Sequence, residues 1–222
     1  MSDINLNQDA LLEPLQSHLR TLFGGGGRFF TMESLQLELL LLDEATCDSP
    51  FSPEQVDRIW QNMPYWAFVW SSGAALAQYI MDHPETVAGK RLVDFGSGSG
   101  VVGLAALKAG AQSVSLCDID ELALMAGSIN AQRNGMSVTT ATSLEDAGTF
   151  DMLVVGDILY DTRNHGLAQS LFAQEKPLLW AESQAQTKLS QHGPIAKYAG
   201  ETFPNIGGFD EHKQIHIYQH LP

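Results

Sequence analysis

The stretch from Arg91 to Asp120 constrains the fold more than any other. An apolar run, Leu92, Val93 and Phe95, stops at Gly96, Gly98 and Gly100, and a helical pattern of Val101, Leu104, Ala105 and Leu107 begins at once. This order predicts strand, tight turn, helix. Alternating glycines suit such a turn because they accept positive φ and leave no Cβ between backbone and ligand. The helix start behind them offers unpaired N–H groups to a polar ligand. A second apolar run, Val114 to Cys117, delivers Asp118 and Asp120 about one βαβ unit later, where a carboxylate can accept both hydroxyls of a ribose. The unit is expected to hold the adenosine part of a ligand.

Spacing alone leaves two ligands open. Gly98-Ser-Gly100-Val-Val-Gly103 fits the dinucleotide fingerprint, with Asp118 at the distance that fingerprint expects. Asp94 argues the other way. A carboxylate two residues before the first glycine can fix the loop or receive the ammonium of an amino-acid moiety, and a pyrophosphate site would not want it.

With 222 residues, 44% hydrophobic and 17% charged, the chain can bury one substantial core. Residues 1–62 read as a helical and β extension, and 63–222 as the main α/β domain. A net charge of −14, with only twelve Lys and Arg, argues against a nucleic-acid partner. No apolar run is long enough for a bilayer, and the N-terminus lacks the pattern of a signal peptide, so no membrane partner and a cytoplasmic location are expected. Two cysteines, Cys47 and Cys117, make no disulfide framework. His212, His216 and His220 fall in a predicted strand, where their spacing does not gather them, so no metal site is expected. Oligomeric state is left open.

Leu12, Leu15, Leu19, Leu22 and Phe23 predict an N-terminal helix, loosely attached, with Gly24 to Gly27 as a flexible joint. Residues 28 to 42 alternate as one or two strands. Pro53 to Gln61 predicts a helix capped by Ser52. Four aromatics, Tyr65, Trp66, Phe68 and Trp70, then precede a helix capped by Ser71 or Ser72. They read as a hydrophobic staple and as a lid, with Trp70 over the ligand and Tyr65 or Trp66 lining an entrance for an acceptor. Further on, a helix over 121 to 134, strands over 138 to 142 and 176 to 180, helices over 165 to 173 and 182 to 191, and a closing β pair over 195 to 198 and 213 to 218 predict a doubly wound, three-layer αβα sandwich. Ser143, Leu144 and Asp146 would sit at its ligand edge. The buried strand ending in Gly156-Asp157-Ile-Leu-Tyr160-Asp161 brings carboxylates and a phenol to the same edge.

Pro64 to Gly73, Val93 to Gly98 and Gly156 to Asp161 together resemble the seven-strand, S-adenosylmethionine (SAM)-dependent methyltransferases. Within that class they look like the family that includes the electron-transfer-flavoprotein β-subunit lysine methyltransferase, whose relatives are also described as nicotinamide N-methyltransferase-like. The resemblance implies SAM as cofactor and S-adenosylhomocysteine (SAH) as product. It implies that Trp70 borders the cofactor, that Asp94, Gly96, Ser97, Gly98 and Gly100 hold its methionine part, and that Asp118 takes the ribose. Ser143, Leu144 and Gly156 are expected beside the cofactor too. Asp157 and Tyr160 map onto the signature at the methyl acceptor, with Tyr65 and Trp66 as substrate-binding residues. The acceptor implied is a protein lysine; the alternatives are a small nitrogenous molecule of the nicotinamide kind, or SAM binding without catalysis. Trp70-Ser-Ser-Gly73 departs from the relatives, which carry proline and glycine after the tryptophan, and the N-terminal helix has no counterpart in the resemblance.

Overall fold

A computed structural model describes residues 3–48, 50–156, 165–183, 193–206 and 214–222, with side chains except at 3–10, 165, 168 and 172. In chain order the elements are α1 (Asp3–Phe23), β1 (Gly27–Met32), β2 (Leu37–Leu42), α2 (Pro53–Gln61), α3 (Ser71–Asp82), β3 (Arg91–Phe95), α4 (Val101–Lys108) and β4 (Ser113–Cys117). Then follow α5 (Glu121–Arg133), β5 (Thr139–Ala141), β6 (Met152–Gly156), α6 (His165–Phe172), β7 (Leu178–Glu182), β8 (Ala196–Ala199) and β9 (Gln214–His220).

Seven strands make one sheet in the order β5-β4-β3-β6-β7-β9-β8, and β9 alone runs against its neighbours. Successive strand residues face opposite layers. Leu92, Leu116, Val154 and Leu179 therefore pack with α3 and α4, while Val93, Leu153, Val155 and Leu178 pack with Leu171 of α6 on the other side. The doubly wound three-layer sandwich is thus present. The strand order reverses between β3 and β6, and such a switch point opens a crevice at the carboxyl ends of the strands.

The N-terminal segment departs from the expectation of a loose helix. Leu15, Leu19 and Phe23 are completely buried, in one cluster with Leu40 and Leu42 of β2, Trp66, Phe68, and Ala126 and Ile129 of α5. The glycines behind α1 are not a flexible joint either. Gly24, at φ +70, closes the helix, and its N–H donates to the Arg20 carbonyl. A Cβ on Gly25 would stand 2.5 Å from Thr46 Oγ1 and one on Gly26 2.7 Å from Gln16 Oε1, so these glycines serve close approach. The Gln16 amide brackets Gly27, accepting its N–H and donating to its carbonyl, both at 2.8 Å.

Ser52 and Gln55 form a reciprocal capping box at α2, with Pro53 in the first turn as expected. At α3 the expected cap is corrected. The N-cap is Trp70, and Ser71 and Ser72 lie buried in the first turn. The missing acceptor comes from far along the chain: the Ser71 N–H donates to Thr202 Oγ1 at 3.2 Å. β7 runs two residues later than the periodicity suggested and takes Glu182 from the helix expected over 182 to 191. The rest of that helix lies outside the described residues. β8 and β9 form the closing antiparallel pair.

Candidate functional site

The crevice at the switch point holds a cavity of about 910 Å³, in the range of small-molecule sites. β3 supplies its floor through Asp94, Phe95 and the turn Gly96-Ser97-Gly98-Ser99; β4 ends in Cys117 and Asp118 beside it. Gly96, Gly98 and Gly100 all have positive φ, as the alternating glycines required. The Gly96 N–H donates to the Cys117 carbonyl at 2.8 Å, tying the turn to the next strand.

Two carboxylates hold this turn. Asp94, 2% exposed, accepts the Gly103 N–H on Oδ2 at 2.8 Å. Asp118 accepts the Gly98 N–H on Oδ2 at 2.9 Å and the Asp120 N–H on Oδ1 at 3.0 Å. Burial pushes the Asp94 carboxyl up to about 7, opposed by the Gly103 bond and reinforced by the charge of Asp118. Burial raises Asp118 as well, against the bonds from Asp120 and Gly98. The Cys117 thiol, pushed up to about 11 by burial and nearby carboxylates, is no nucleophile at neutral pH.

Trp70, Tyr65 and Phe68 line the cavity as well. The Trp70 indole N–H donates to the Tyr65 carbonyl at 2.9 Å, and its ring lies 5.6 Å from Tyr65 and 5.4 Å from Phe68. Val69 and Phe203 exchange two backbone bonds of 2.7 and 2.9 Å, and Phe203 packs edge-on against Phe30 at 5.0 Å. Together with the Thr202 bond, these contacts fix the chain on both sides of Trp70. Thr202 lines the cavity and was not foreseen, because a pairing across more than 130 residues leaves no local pattern.

Asp94, Gly96, Ser97, Gly98, Asp118, Ser143, Leu144, Gly156, Tyr65 and Trp70 all meet in this lining. Two expectations are corrected. Gly100 does not line the cavity; it starts α4 and presses against α5, where a Cβ would come 3.3 Å from Gly127 Cα. Trp66 is 0% exposed and packs in the core, 6.4 Å from the His18 ring, because the 3-10 turn over Tyr65–Ala67 points Tyr65 out and Trp66 in. Asp146 accepts from the Ser143 hydroxyl at 2.8 Å and is not among the lining residues. Asp157, Tyr160 and Asp161 lie outside the described residues.

Among the described residues the lining carries four carboxylates, Asp94, Asp118, Asp120 and Glu145, and no Lys or Arg. Such a wall favours a cation and opposes a pyrophosphate, which needs positive charge. The Ser97 hydroxyl is buried with no hydrogen-bond partner among the described residues, and a buried polar group in that state calls for one from a ligand. These features fit a sulfonium nucleoside carrying an amino-acid ammonium. For the dinucleotide reading only the spacing of the glycines and of Asp118 remains.

Ionisation of Asp94 gives a test. Its carboxyl is raised from the ordinary 3.8 to about 7. The folded protein therefore holds a proton that the unfolded chain has lost, and this contribution to stability, complete below about pH 4, fades as pH rises to 7. A cationic ligand draws the other way, because it favours the carboxylate. Affinity for SAM is expected to rise with pH from 6 to 8, by at most about tenfold per unit below the carboxyl's own value. Calorimetry at constant ionic strength measures it; a flat profile removes Asp94 as the cation's partner.

Comparison with known proteins agrees with this chemistry. The family model for ribosomal protein L11 methyltransferase matches residues 75–176, which contain the glycine turn, Asp94, Asp118 and β6. The electron transfer flavoprotein beta subunit lysine methyltransferase of Rattus norvegicus is 38% identical over 122 residues, covering 53% of this chain and 47% of the relative. Its Homo sapiens counterpart is 37% identical over 122 residues, 53% and 45% respectively. A solved ribosomal protein L11 methylase from Lactobacillus delbrueckii superposes with a TM-score of 0.47 at 22% identity, over 66% of this chain and 76% of that one. The resemblance to methyltransferases read from the sequence is thus found independently, and the family model includes the stretches Val93 to Gly98 and Gly156 to Asp161. The chain spans about half the length of the lysine methyltransferases it matches.

Proposed function

We propose that this chain is a SAM-dependent N-methyltransferase whose acceptor is the side chain of a protein lysine. The observation that carries the reading is the cation-favouring cavity at the switch point, lined by the glycine turn, carboxylates and Trp70. The similarity to proteins named lysine methyltransferases supports the choice of acceptor.

SAM supplies a methyl group on a sulfonium, already activated for displacement. The chain's own residues supply place and dryness. The turn Gly96–Ser99 receives the methionine part, with the Ser97 hydroxyl free to bond it and Asp94 facing its ammonium. Asp118 keeps acceptor capacity beyond its bonds from the Gly98 and Asp120 N–H groups, and this would take the ribose hydroxyls. Ser143 and Leu144 border the adenine. Holding an amine in line with the methyl group, with water excluded, is worth about 7–11 kcal/mol in favourable cases. Bound there, SAM would give its methyl group to the lysine amine, sulfur keeping the electron pair of the broken C–S bond, and the amine's surplus proton would pass to the carboxylate of Asp157. Asp157, which follows the cavity-lining Gly156 in sequence, is assigned to orient the amine, and Tyr160 to wall the channel.

The mouth of the cavity suits a protein acceptor. Trp60, Tyr65 and Ile119 line it while 56, 43 and 91% exposed, an apolar rim with Asp120 and Glu145 beside it. The names of the matched relatives make the β subunit of electron transfer flavoprotein the first acceptor to try. Purified β subunit and labelled SAM are expected to give label in the protein band, and Trp60→Ala to raise KM for that protein about tenfold with kcat little changed, as loss of an aromatic anchor does. Label only in low-mass material from a lysate would assign a small nitrogenous acceptor instead. SAM binding with no transfer to either would leave a binding protein.

No helix among the described residues is long and apolar enough to cross a membrane. We assign residues 63–222 as the methyltransferase domain and 1–62 as its extension.

A further inference from the structure

The helix α5 and its C-cap Asn134 turn two side-chain amides toward β2. Asn134 accepts the Glu38 N–H on Oδ1 at 2.9 Å and donates through Nδ2 to the Glu38 carbonyl at 2.7 Å, pairing with that strand as a neighbouring strand would. One turn earlier Asn130, completely buried, accepts the Leu40 N–H on Oδ1 at 2.7 Å. Its Nδ2 points elsewhere and donates to the carbonyl of Ser99 at 2.9 Å. Ser99 belongs to the glycine turn and lines the cavity. Gly127, three residues before Asn130, meets the same turn at Gly100, whose own Cβ would come 3.3 Å from Gly127 Cα. The two amides hold the same edge of the hairpin; Asn130 also reaches the cofactor turn.

We propose that Asn130 is a positioning residue that fixes the glycine turn against the N-terminal hairpin, so that cofactor binding and docking of the extension are coupled through one amide. The proposal rests on the SAM reading above. Both of its amide groups are committed in a dry site, so the turn cannot shift without breaking a bond that water does not replace. Coupling of this kind is reciprocal: whatever the hairpin does for SAM, SAM does for the hairpin.

The test compares Asn130→Ala with Asn134→Ala, using calorimetry with SAH and thermal melting of each full-length variant. Both variants lose hairpin bonds and are expected to melt earlier. Only Asn130→Ala is expected to weaken SAH binding, by about tenfold, with Asn134→Ala within twofold of the unsubstituted protein. Amide exchange on the unsubstituted protein gives a readout independent of any variant's folding: saturating SAH should slow exchange of the Leu40 N–H several-fold. Equal SAH affinity in the two variants, or a Leu40 N–H indifferent to SAH, overturns the coupling while leaving the SAM reading in place. Absence of any SAM or SAH binding by the unsubstituted protein overturns both.

Discussion

Replacing Asp157 by asparagine is expected to lower methyl transfer by about a hundred- to ten-thousandfold, while SAM affinity stays within a few-fold. The asparagine keeps the size of the side chain and removes the charge that, in the proposed mechanism, would orient an ammonium or amine and accommodate its proton. The contacts assigned to SAM belong instead to Asp94, Ser97, Asp118 and the loop after β5, all earlier in the sequence and all in the lining. The split between rate and affinity is therefore the signature of an acceptor-side residue. Single-turnover transfer to the β subunit, read beside calorimetry with SAM, measures both quantities. A variant that transfers at the original rate would take Asp157 out of the chemistry, and one that no longer binds SAM would move it to the cofactor side.

Phe23→Ala is expected to cost about 3–5 kcal/mol of stability, as for other large aromatic truncations in close-packed cores. Phe23 is 0% exposed and meets Phe51 at 6.1 Å and Phe68 at 6.5 Å, both edge-on. Phe68 in turn stands 5.4 Å from Trp70. Truncation therefore leaves a cavity behind the aromatic wall and is expected to weaken SAM binding as well. Urea denaturation with and without SAH measures the two effects together. A helix that merely trailed from the domain would show a change under about 0.5 kcal/mol, the size of an ordinary surface substitution.

Much of the site was legible because its signals are local. The glycines at Gly96, Gly98 and Gly100 need positive φ, the strand before them needs apolar residues, and Asp94 and Asp118 stand at fixed distances from that turn, so a single βαβ unit writes the pattern into contiguous residues. Even there the tertiary setting divided the labour: Gly96 and Gly98 face the cavity, whereas Gly100 gives up its side chain to let α5 approach. The aromatic cluster was legible as a cluster but not in direction. Four aromatics in six residues have no period, and a short 3-10 turn, read only in three dimensions, sends Tyr65 to the mouth and Trp66 into the core. The cap of α3 differs from the expectation for a similar reason, since Thr202 supplies from a distance what Ser71 was expected to supply locally.

The order of strands and helices, the glycine turn, the carboxylates beside it and the acidic character of the whole followed from the amino-acid sequence, because each depends on neighbours within a few residues or on composition. The seating of α1, the latch of Thr202 and Phe203 on the aromatic wall, and the reach of Asn130 from the hairpin to the cofactor turn were decided only by tertiary structure. Each joins residues far apart in the chain through buried contacts. What selects such a contact is the shape and unmet bonding of the partner surface, which no stretch of sequence carries by itself.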